Sequence, residues 1–338
     1  MSDQPHVDRR GFLGRTLAAA GAAGAASLAG GAAAAETPPP ARQPAATTAA
    51  TGENVPPMPY GMIGDVRLSR MLLGGNLVSG GMHARGLQYV NSLFRAYVNE
   101  EKLFETFALA EQYGINTVFE SGAAVVNRYN HERGGKLQII PHIEVRQGES
   151  DAELASHIQQ QIDTGAVALY VWGVSSDTLA MAGAYEEIGR AVEMAKKHGL
   201  PVGVGSHSLK VPVACEKLGV PCDFYVKTLH TDDYPSATLK HLQKDFMWME
   251  KSEGWFDNQW CINAEEVVEF MKTVEKPWIA FKVLAAGAIR PREGFTHAFR
   301  SGADFIAVGM FDFQMKQNCE LVEQIVRREQ SRERPWRA

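Results

Sequence analysis

Two apolar segments of the sequence each place a lysine near the end of a strand, where a buried strand ordinarily carries an aliphatic side chain. They are DFYVKTLHTDDY, which contains Lys227, and WIAFKVLAAGAI, which contains Lys282. A lysine near a second cation in a site without water is neutral more often, and a neutral amine is a base or a nucleophile. The pair therefore predicts carbonyl chemistry in which Lys282 lowers the pKa of Lys227.

Short apolar segments alternate with amphipathic segments along most of the chain. In the amphipathic segments apolar residues recur every three or four positions, and several of these segments end in glycine, as helices do. Alternating strands and helices give a parallel sheet, and eight such units favour a single-domain (β/α)8 TIM barrel in the α/β class. The eight predicted strands are RMLLGG, NTVFES, LQIIPHIE, VALYVWG, PVGVGSH, DFYVKTLH, WIAFKVLAAG and DFIAVGMF.

Polar and charged side chains gather at the carboxyl ends of these predicted strands. In a (β/α)8 barrel the active site lies at that end. The residues concerned are Glu120, His142, Glu144, His207, Lys227, His230, Asp232, Asp233, Lys282 and Asp312. The amino ends of the strands carry nothing comparable. This asymmetry predicts a catalytic mouth with Lys227, Lys282 and Glu120 as the catalytic residues.

Histidine and carboxylate side chains from three of these strand ends are suitable ligands for a divalent metal ion. His142 and Glu144 are two positions apart, so they share one face of a strand, while His207 and His230 follow two other strands. Nitrogen and oxygen ligands without cysteine suit manganese, zinc or iron(II). The alternative for each histidine is a structural hydrogen bond.

Together these residues predict an enzyme that acts on a carbohydrate. A bound metal ion polarises the carbonyl oxygen of a keto sugar, and Lys227 removes a proton from the adjacent carbon, which leads to β-elimination or isomerisation. We therefore expect a lyase or isomerase that uses a divalent metal. The alternatives are a Schiff-base aldolase that uses Lys227, a reductase, and a sugar-binding barrel without activity.

Two connections are too long for simple barrel turns, namely residues 79–100 after the first predicted strand and residues 231–262 after the sixth. Long loops at this face commonly form the wall of a substrate site. Aromatic rings beside polar groups suit the faces and hydroxyls of sugars, and the alternative is packing within the loop or between subunits. The predicted substrate-binding residues are Trp248, Trp255, Trp260, Asp232, Asp233 and Asp312.

The last third of the sequence resembles the deoxyribose-phosphate aldolase family. The similar segments are DFYVKTLHTDDY and IAFKVLAAGAIRPREGFTHAFRSGADFIAVG. The resemblance implies that Lys227, in the motif VKT, forms a Schiff base with a substrate carbonyl, and that Lys282 lowers its pKa. The fourth predicted strand, VALYVWG, lacks the acid–base aspartate of that family.

The first part of the predicted barrel resembles the aldo/keto reductases in the segments RLSRMLLGGN, ALAEQYGINTVFES and NRYN. The resemblance implies a shared scaffold. The catalytic tetrad of that family is not matched, because Glu120 stands at its aspartate position, His142 falls near its lysine position, and LYVWG contains no histidine. We therefore expect no nicotinamide cofactor.

The start of the chain resembles a twin-arginine export signal, since Arg9 and Arg10 precede Phe12 and a weakly apolar Ala/Gly segment. The predicted organisation is an export signal at 1–35, a disordered Pro/Ala/Thr linker at 36–59, the barrel at 60–330 and a tail at 331–338. Export by the twin-arginine translocase predicts a periplasmic or otherwise extracytoplasmic protein, without a membrane anchor in its mature form.

The charge of the chain narrows the classes of molecule expected as partners. The formal net charge is −5 and no basic cluster is present, which argues against nucleic acid as a partner and leaves a small carbohydrate as the expected ligand.

The four cysteines form no CxxC motif. Cys215 and Cys222 are close enough in sequence either to pair or to remain buried thiols.

Overall fold

The computed structural model describes residues 58–338. The predicted export signal, and the predicted linker as far as residue 57, lie outside the described residues. Met58, the first described residue, is buried in the hydrophobic core. The packed part of the chain therefore begins before residue 60, the boundary that the composition suggests.

A β-hairpin precedes the barrel. Its strands, β1 (Tyr60–Ile63) and β2 (Val66–Ser69), pair antiparallel. Ile63 and Leu68 are buried in the same apolar cluster as the inward-facing barrel residues, so the hairpin covers the amino end of the barrel. The sequence pattern did not predict this hairpin, because its two strands are only four residues long and mix polar with apolar side chains.

Eight parallel strands then form a closed barrel. Each strand pairs with the next along the chain, and the last pairs with the first, where Ile306 lies beside Met71. Every predicted strand segment contains one of these strands, so the predicted (β/α)8 fold is confirmed. The barrel strands are β3 (Met71–Gly74), β4 (Thr117–Glu120), β5 (Gln138–Ile143), β6 (Leu169–Val171), β7 (Val202–Ser206), β8 (Phe224–Thr228), β9 (Trp278–Phe281) and β10 (Phe305–Val308).

Helices surround the barrel and follow its strands. The amphipathic segments of the sequence form these helices, and the helix Asp151–Ile162 begins with a capping box in which the Ser150 hydroxyl accepts from the Glu153 amide. The helices are α1 (Gln88–Tyr97), α2 (Glu100–Gln112), α3 (Ala123–Arg133), α4 (Asp151–Ile162), α5 (Gly173–Ala182), α6 (Glu186–Lys196), α7 (Lys210–Leu218), α8 (Met247–Glu250), α9 (Ala264–Thr273), α10 (Pro291–Arg300) and α11 (Met315–Arg328).

The barrel strands separate two apolar layers. One fills the barrel interior and includes Phe224 and Val226 of β8, and the other lies between the strands and the helices and includes Tyr225 and Leu229. Because successive side chains of a strand point to opposite faces, a residue's place in the alternation decides which layer it enters. This alternation determines the position of Lys227.

The residues predicted as a tail, 331–338, pack against the amino end of the barrel. Asp304, at the start of β10, is fully buried and accepts hydrogen bonds from Arg332 and Arg334. Arg70 reaches the same place, where it donates to the backbone oxygens of Asp304 and Ala338. The C-terminal residues are therefore part of the folded unit.

All four cysteines are buried and free. Cys215 and Cys222, whose pairing the sequence left open, are thiols in this structure. Burial raises the pKa of the Cys222 thiol to about 11. A thiol with a raised pKa is a poor nucleophile, which is typical of structural cysteines.

Candidate active site

A cavity of about 250 Å³ lies at the carboxyl end of the barrel. The ends of β3, β4, β9 and β10 form its floor, and the two long connections contribute to its wall. Its aromatic lining residues are Phe119, Trp260, Phe281 and Phe311. Its polar lining residues are Asn76, His83, Glu120, Lys282, Gln314 and Asn318. The cavity therefore combines apolar walls with a few groups that transfer protons or donate hydrogen bonds.

Lys282 extends into this cavity from the end of β9. Its Nζ lies 2.9 Å from Nε2 of His83 and 4.0 Å from the centroid of the Trp260 ring. Burial lowers the pKa of the Lys282 amine to about 8, although the negative charges of Glu120 and Asp257 act in the opposite direction. A much larger fraction of this amine is neutral near pH 8 than is the case for an exposed lysine.

His83 links Lys282 to a carboxylate. Its Nδ1 lies 2.7 Å from Oδ1 of Asp257, whose Oδ2 accepts from the backbone N–H of Ala84 at 3.2 Å. A carboxylate only accepts, so the proton of a neutral His83 ring belongs on Nδ1, and Nε2 is then the acceptor for the lysine amine. Lys282, His83 and Asp257 form a hydrogen-bonded chain, the relay, that leads from the cavity to a partly exposed carboxylate.

Glu120 also lines the cavity, at the end of β4. Its Oε1 accepts from the indole N–H of Trp172 at 3.2 Å. The Trp172 ring stacks on the His142 ring, and Nδ1 of His142 lies 3.1 Å from the backbone oxygen of Glu120. The hydrogen bond from Trp172 thus holds the Glu120 carboxylate in place where it lines the cavity.

The backbone is left-handed at both charged strand ends. Glu120 has φ 82° and Lys282 has φ 58°. Side chains other than glycine rarely adopt this region, and such residues cluster at functional sites because the surrounding structure holds them there. At Lys282 the consequence is specific. The alternation of β9 directs Phe281 into the barrel, and the left-handed turn directs the next side chain toward the cavity as well.

Lys227 lies elsewhere, and this corrects the predicted pair of lysines in one cavity. It follows the inward-facing Val226 on β8, so its side chain enters the layer between strands and helices. There it is 1% exposed, and its Nζ donates to the backbone oxygen and the hydroxyl of Thr228 at 3.0 and 2.9 Å. Burial lowers the pKa of the Lys227 amine, but the amine does not reach the cavity.

The four predicted metal ligands do not come together. Nδ1 of His207 binds the buried Asp177 at 2.7 Å, and Glu144 is exposed beside Arg146. His230 uses both ring nitrogens, since Nδ1 lies 2.9 Å from the Thr231 oxygen and Nε2 accepts two backbone N–H groups. Within residues 58–338 no group of three His, Cys, Asp or Glu side chains has the geometry to hold a metal ion.

His207 nevertheless lies close to the cavity. Its ring contacts Trp248, Trp260 and Phe281, with centroid distances of 5.2 to 5.5 Å. Burial lowers the pKa of this imidazole, although the Asp177 carboxylate raises it and the two buried lysines lower it further. His207 therefore lies beside the cavity, where its ring contact helps to fix the position of Trp260.

One predicted substrate-binding residue, Trp260, lines the cavity. Trp255 packs edge-on against it, and Trp248 is buried, with its indole N–H donating to Asp177. Asp232 accepts from Lys240, Gln243 and Gln259 within its own loop, and Asp312 accepts from Tyr97 and Lys102. Asp233 is exposed. Only Trp260 of this set is placed to contact a ligand in the cavity.

His83 and Asp257 are the residues that sequence reasoning missed. Both lie in the two long connections that were predicted to form the substrate wall. Nothing in either loop marks these residues, because their contact joins positions 174 residues apart in irregular backbone. The signals that did point to this site are the strand-end positions of Lys282 and Glu120 and the aromatic Trp260, all of which line the cavity.

Among residues 58–338, no helix is sufficiently long and apolar to cross a membrane. No protein-family model matches the chain, and no curated protein matches it. Solved structures do match. A protein from Pseudomonas aeruginosa assigned as an aldo-keto reductase is 14% identical with a TM-score of 0.54, over 79% of this chain and 95% of that chain. A second structure of such a protein from this organism has 14% sequence identity and a TM-score of 0.52, over the same shares of the two chains.

A truncated 3-deoxy-D-arabino-heptulosonate 7-phosphate synthase from Thermotoga maritima is 11% identical over 81% of this chain and 91% of that chain. Its TM-score is 0.43, which is too low to support an argument. At these identities the likeness concerns the fold alone, and it agrees with the scaffold resemblance to aldo/keto reductases seen in the sequence. Fold and site together define a TIM barrel whose candidate active site lies at the carboxyl ends of the strands.

Proposed function

We propose that this protein is an enzyme that moves a proton at the carbon next to a carbonyl group, and so acts as an isomerase or lyase. The observation that supports this proposal is the buried amine of Lys282. It lies in the cavity with its pKa lowered to about 8 and donates to a histidine that a carboxylate orients. A base with a pKa near the working pH, coupled to a route for its proton, suits this chemistry.

In the proposed reaction the neutral Lys282 amine takes a proton from the carbon beside the carbonyl. The ammonium that forms is stabilised by the hydrogen bond to His83, by the face of the Trp260 ring and by the charge of Glu120. The Glu120 carboxylate, which lines the same cavity, takes the hydroxyl proton of the carbon that is deprotonated and returns it to the former carbonyl oxygen. Transfer of the carbon-derived proton from the Lys282 ammonium to the neighbouring carbon completes isomerisation. In elimination the Lys282 ammonium instead gives this proton to the departing β-hydroxyl, which leaves as water.

The proposed substrate is a small hydroxylated carbonyl compound such as a keto sugar. A cavity of about 250 Å³ accommodates a molecule of monosaccharide size. Trp260 and Phe281 offer faces for the apolar side of a sugar ring, while Asn76 and Gln314 offer amides for its hydroxyls. We further propose, because the start of the chain resembles a twin-arginine signal, that this reaction takes place outside the cytoplasm. The relay residues transfer the proton in this proposal without the help of a set of metal ligands.

A second candidate is a Schiff-base mechanism on Lys282 itself. The same desolvation that makes the amine a base also makes it a nucleophile toward a carbonyl carbon. The resemblance to deoxyribose-phosphate aldolases assigns the Schiff base to Lys227, whose side chain does not line the cavity. If a Schiff base forms in this protein, Lys282 is the residue placed to form it.

Exchange of carbon-bound hydrogen in D2O tests the proposal directly. Wild-type protein is incubated with a panel of ketoses, and the hydrogen next to each carbonyl is followed by proton NMR. We expect exchange with at least one ketose, and Lys282→Met reduces its rate by about 10³-fold because a general base contributes roughly 10² to 10⁴. Methionine matches the length and volume of the lysine stem, so the cavity keeps its shape.

The comparison variant is Lys227→Met, which removes a buried amine outside the cavity and keeps the exchange rate within a few-fold. Equal losses in the two variants, or no exchange with any ketose, contradict the proposal. Borohydride added with the reacting ketose separates the two mechanisms, because a Schiff base leaves a covalent label on the Lys282 peptide whereas proton transfer leaves none.

A further inference from the structure

Helix α1 exposes a row of large apolar side chains. Tyr89, Leu93 and Tyr97 are spaced four residues apart and so lie on one face, where they are 66%, 64% and 37% exposed. Phe313, which is 70% exposed, lies beside Tyr97 with a centroid distance of 6.4 Å. These four residues, the α1 face, include three of the four exposed aromatic side chains among residues 58–338.

One copy of the chain gives this helix little support. Phe94 is the only buried residue among its ten, and no side chain caps its amino end. Isolated helices of this length are marginal in water, because helices in proteins depend on packing of their apolar face. Phe94 and Tyr97 contact Phe311 of the same copy, whereas Tyr89 and Leu93 remain largely exposed. A partner that covers the α1 face therefore stabilises this helix.

We propose that a second copy of this chain covers it, in a symmetric dimer whose two-fold axis passes near Leu93. The sequence of the face, Tyr-x3-Leu-x3-Tyr, reads the same in both directions. Two antiparallel α1 helices therefore place Leu93 against Leu93, and Tyr89 of each copy against Tyr97 of the other. A surface that complements itself in this way is what a two-fold interface requires.

The exposed area agrees with this arrangement. Large aromatic side chains bury about 200 Å² each when fully covered, and those of the α1 face are already partly covered within one copy, so two copies of the face remove up to roughly 1,000 Å² from water. That area is sufficient for a specific dimer of modest affinity.

Two other occupants suit the α1 face less well. Residues 1–57 consist mainly of alanine, glycine, proline and threonine, and Phe12 is their only aromatic residue, so they offer little to pack against three exposed rings. Helices that bind membrane surfaces carry basic residues around the apolar face. The surroundings of α1 are mixed in charge, with Arg85 and Arg95 opposed by Glu100 and Asp312.

Dimerisation also bears on the proposed active site. The connection that ends in α1 carries His83, which binds both Lys282 and Asp257. A second copy that holds α1 in place restrains this connection. The dimer is inferred from the exposed face alone, so it stands or falls independently of the proposed reaction.

Analytical ultracentrifugation of the full chain tests the inference. We expect a dimer of 37.0 kDa chains at micromolar concentration, and Leu93→Glu shifts it to monomer, raising the dissociation constant at least 100-fold. The control is Leu218→Glu at the end of α7, where an equally exposed leucine lies on a different surface. This control variant remains a dimer, and circular dichroism verifies that both variants fold.

Crosslinking gives a second readout with a milder substitution. The four native cysteines are buried, so Leu93→Cys introduces an accessible thiol next to the two-fold axis, and mild oxidation yields a disulfide-linked dimer. The corresponding Leu218→Cys variant yields none. A full chain that is monomeric at micromolar concentration overturns the proposal, as does a dimer that survives Leu93→Glu or fails to crosslink at residue 93. Binding of the monomer to anionic lipid vesicles identifies a membrane surface as the occupant and also overturns it.

Discussion

Lys227 and Lys282, which the sequence pattern pairs, have different surroundings because the backbone angle φ of Lys282 is left-handed whereas Lys227 follows the regular strand. On β8 regular alternation sends Lys227 outward, behind the inward-facing Val226. On β9 the same alternation sends Lys282 outward too, but its φ of 58° turns the side chain toward the cavity. Residue type and spacing predict that a lysine stands at a strand end. They do not predict a left-handed angle at a residue other than glycine, because tertiary contacts impose it.

The lowered pKa of Lys282 predicts how the proposed activity varies with pH. The amine is the active form of the base, and it loses its proton as the pH rises through about 8. Below that pH we expect kcat/KM for hydrogen exchange to fall tenfold for each unit of acidification, and above it to reach a plateau. A steady-state pH profile measures this directly, and a profile that is flat between pH 6 and 9 contradicts the assigned role.

The charge of Asp257 supplies a sharper form of the same test. This carboxylate raises the pKa of the Lys282 amine, so Asp257→Asn lowers that pKa and moves the midpoint of the profile toward acid. The plateau falls as well, since His83 loses the partner that orients its ring. Asp65→Asn, in the hairpin turn at the opposite end of the barrel, is the matched control and leaves the midpoint unchanged.

His230 predicts an acid-sensitive fold. Its neutral ring accepts the backbone N–H groups of Trp260 and Cys261, and burial lowers its pKa from about 6.5 to about 4. The unfolded chain therefore binds more protons than the folded chain between these values, so stability decreases as the pH falls from 6.5 to 4. The loss at pH 4 is on the order of 3 kcal/mol.

Urea denaturation at a series of pH values measures this loss in the wild type. His230→Gln has no titrating group at this position, so its unfolding free energy changes less over the same range. If both proteins lose the same stability between pH 6.5 and pH 4, His230 does not supply the effect. The ring also explains why this histidine is a poor metal ligand, since neither nitrogen is free.

At the scale of elements, the barrel strands and main helices are predictable because their patterns are local and periodic. The segment EEKLFETFALAEQYG gives α2 over Glu100–Gln112, and DFIAVGMF gives β10 over Phe305–Val308. The relay is different. It joins a loop after β3 to a loop after β8 through one histidine and one aspartate. Contacts of this kind depend on how two irregular segments meet, and no period in the sequence encodes that.

The same distinction applies to the predicted metal ligands. Their positions at strand ends follow from the barrel, and the structure does place His142 and His207 at that end. The sequence does not predict which neighbouring group from another element contacts each of these two imidazole rings. Asp177, within α5, occupies Nδ1 of His207, and the stacking of Trp172 on His142 fixes that ring beside Glu120. Neighbours from other elements therefore decide between a ligand and a structural histidine.

At the scale of the whole molecule, the amino end of the barrel is built for stability. Asp304 is fully buried and is bound by Arg332, by Arg334 and by the backbone N–H of Trp278. Arg334 also donates to the backbone oxygens of Met271 and Val274 at the end of α9, so it joins β10 and α9 to the last residues of the chain. In TIM barrels the two ends divide these tasks, with chemistry at the carboxyl end and stability at the amino end.

This division predicts that loss of Arg334 lowers stability without changing the proposed chemistry. Arg334→Met leaves part of the Asp304 charge unpaired in the interior, which costs about 3 to 5 kcal/mol. The control is Arg300→Met, an exposed arginine paired with Glu329, where the cost is at most about 1 kcal/mol. Chemical denaturation measures the unfolding free energy of both variants. The rate of ketose hydrogen exchange in D2O, divided by the concentration of folded protein, remains at the wild-type value. Equal costs for the two substitutions are incompatible with a structural role for the buried network, because only Arg334 serves a carboxylate that water does not reach.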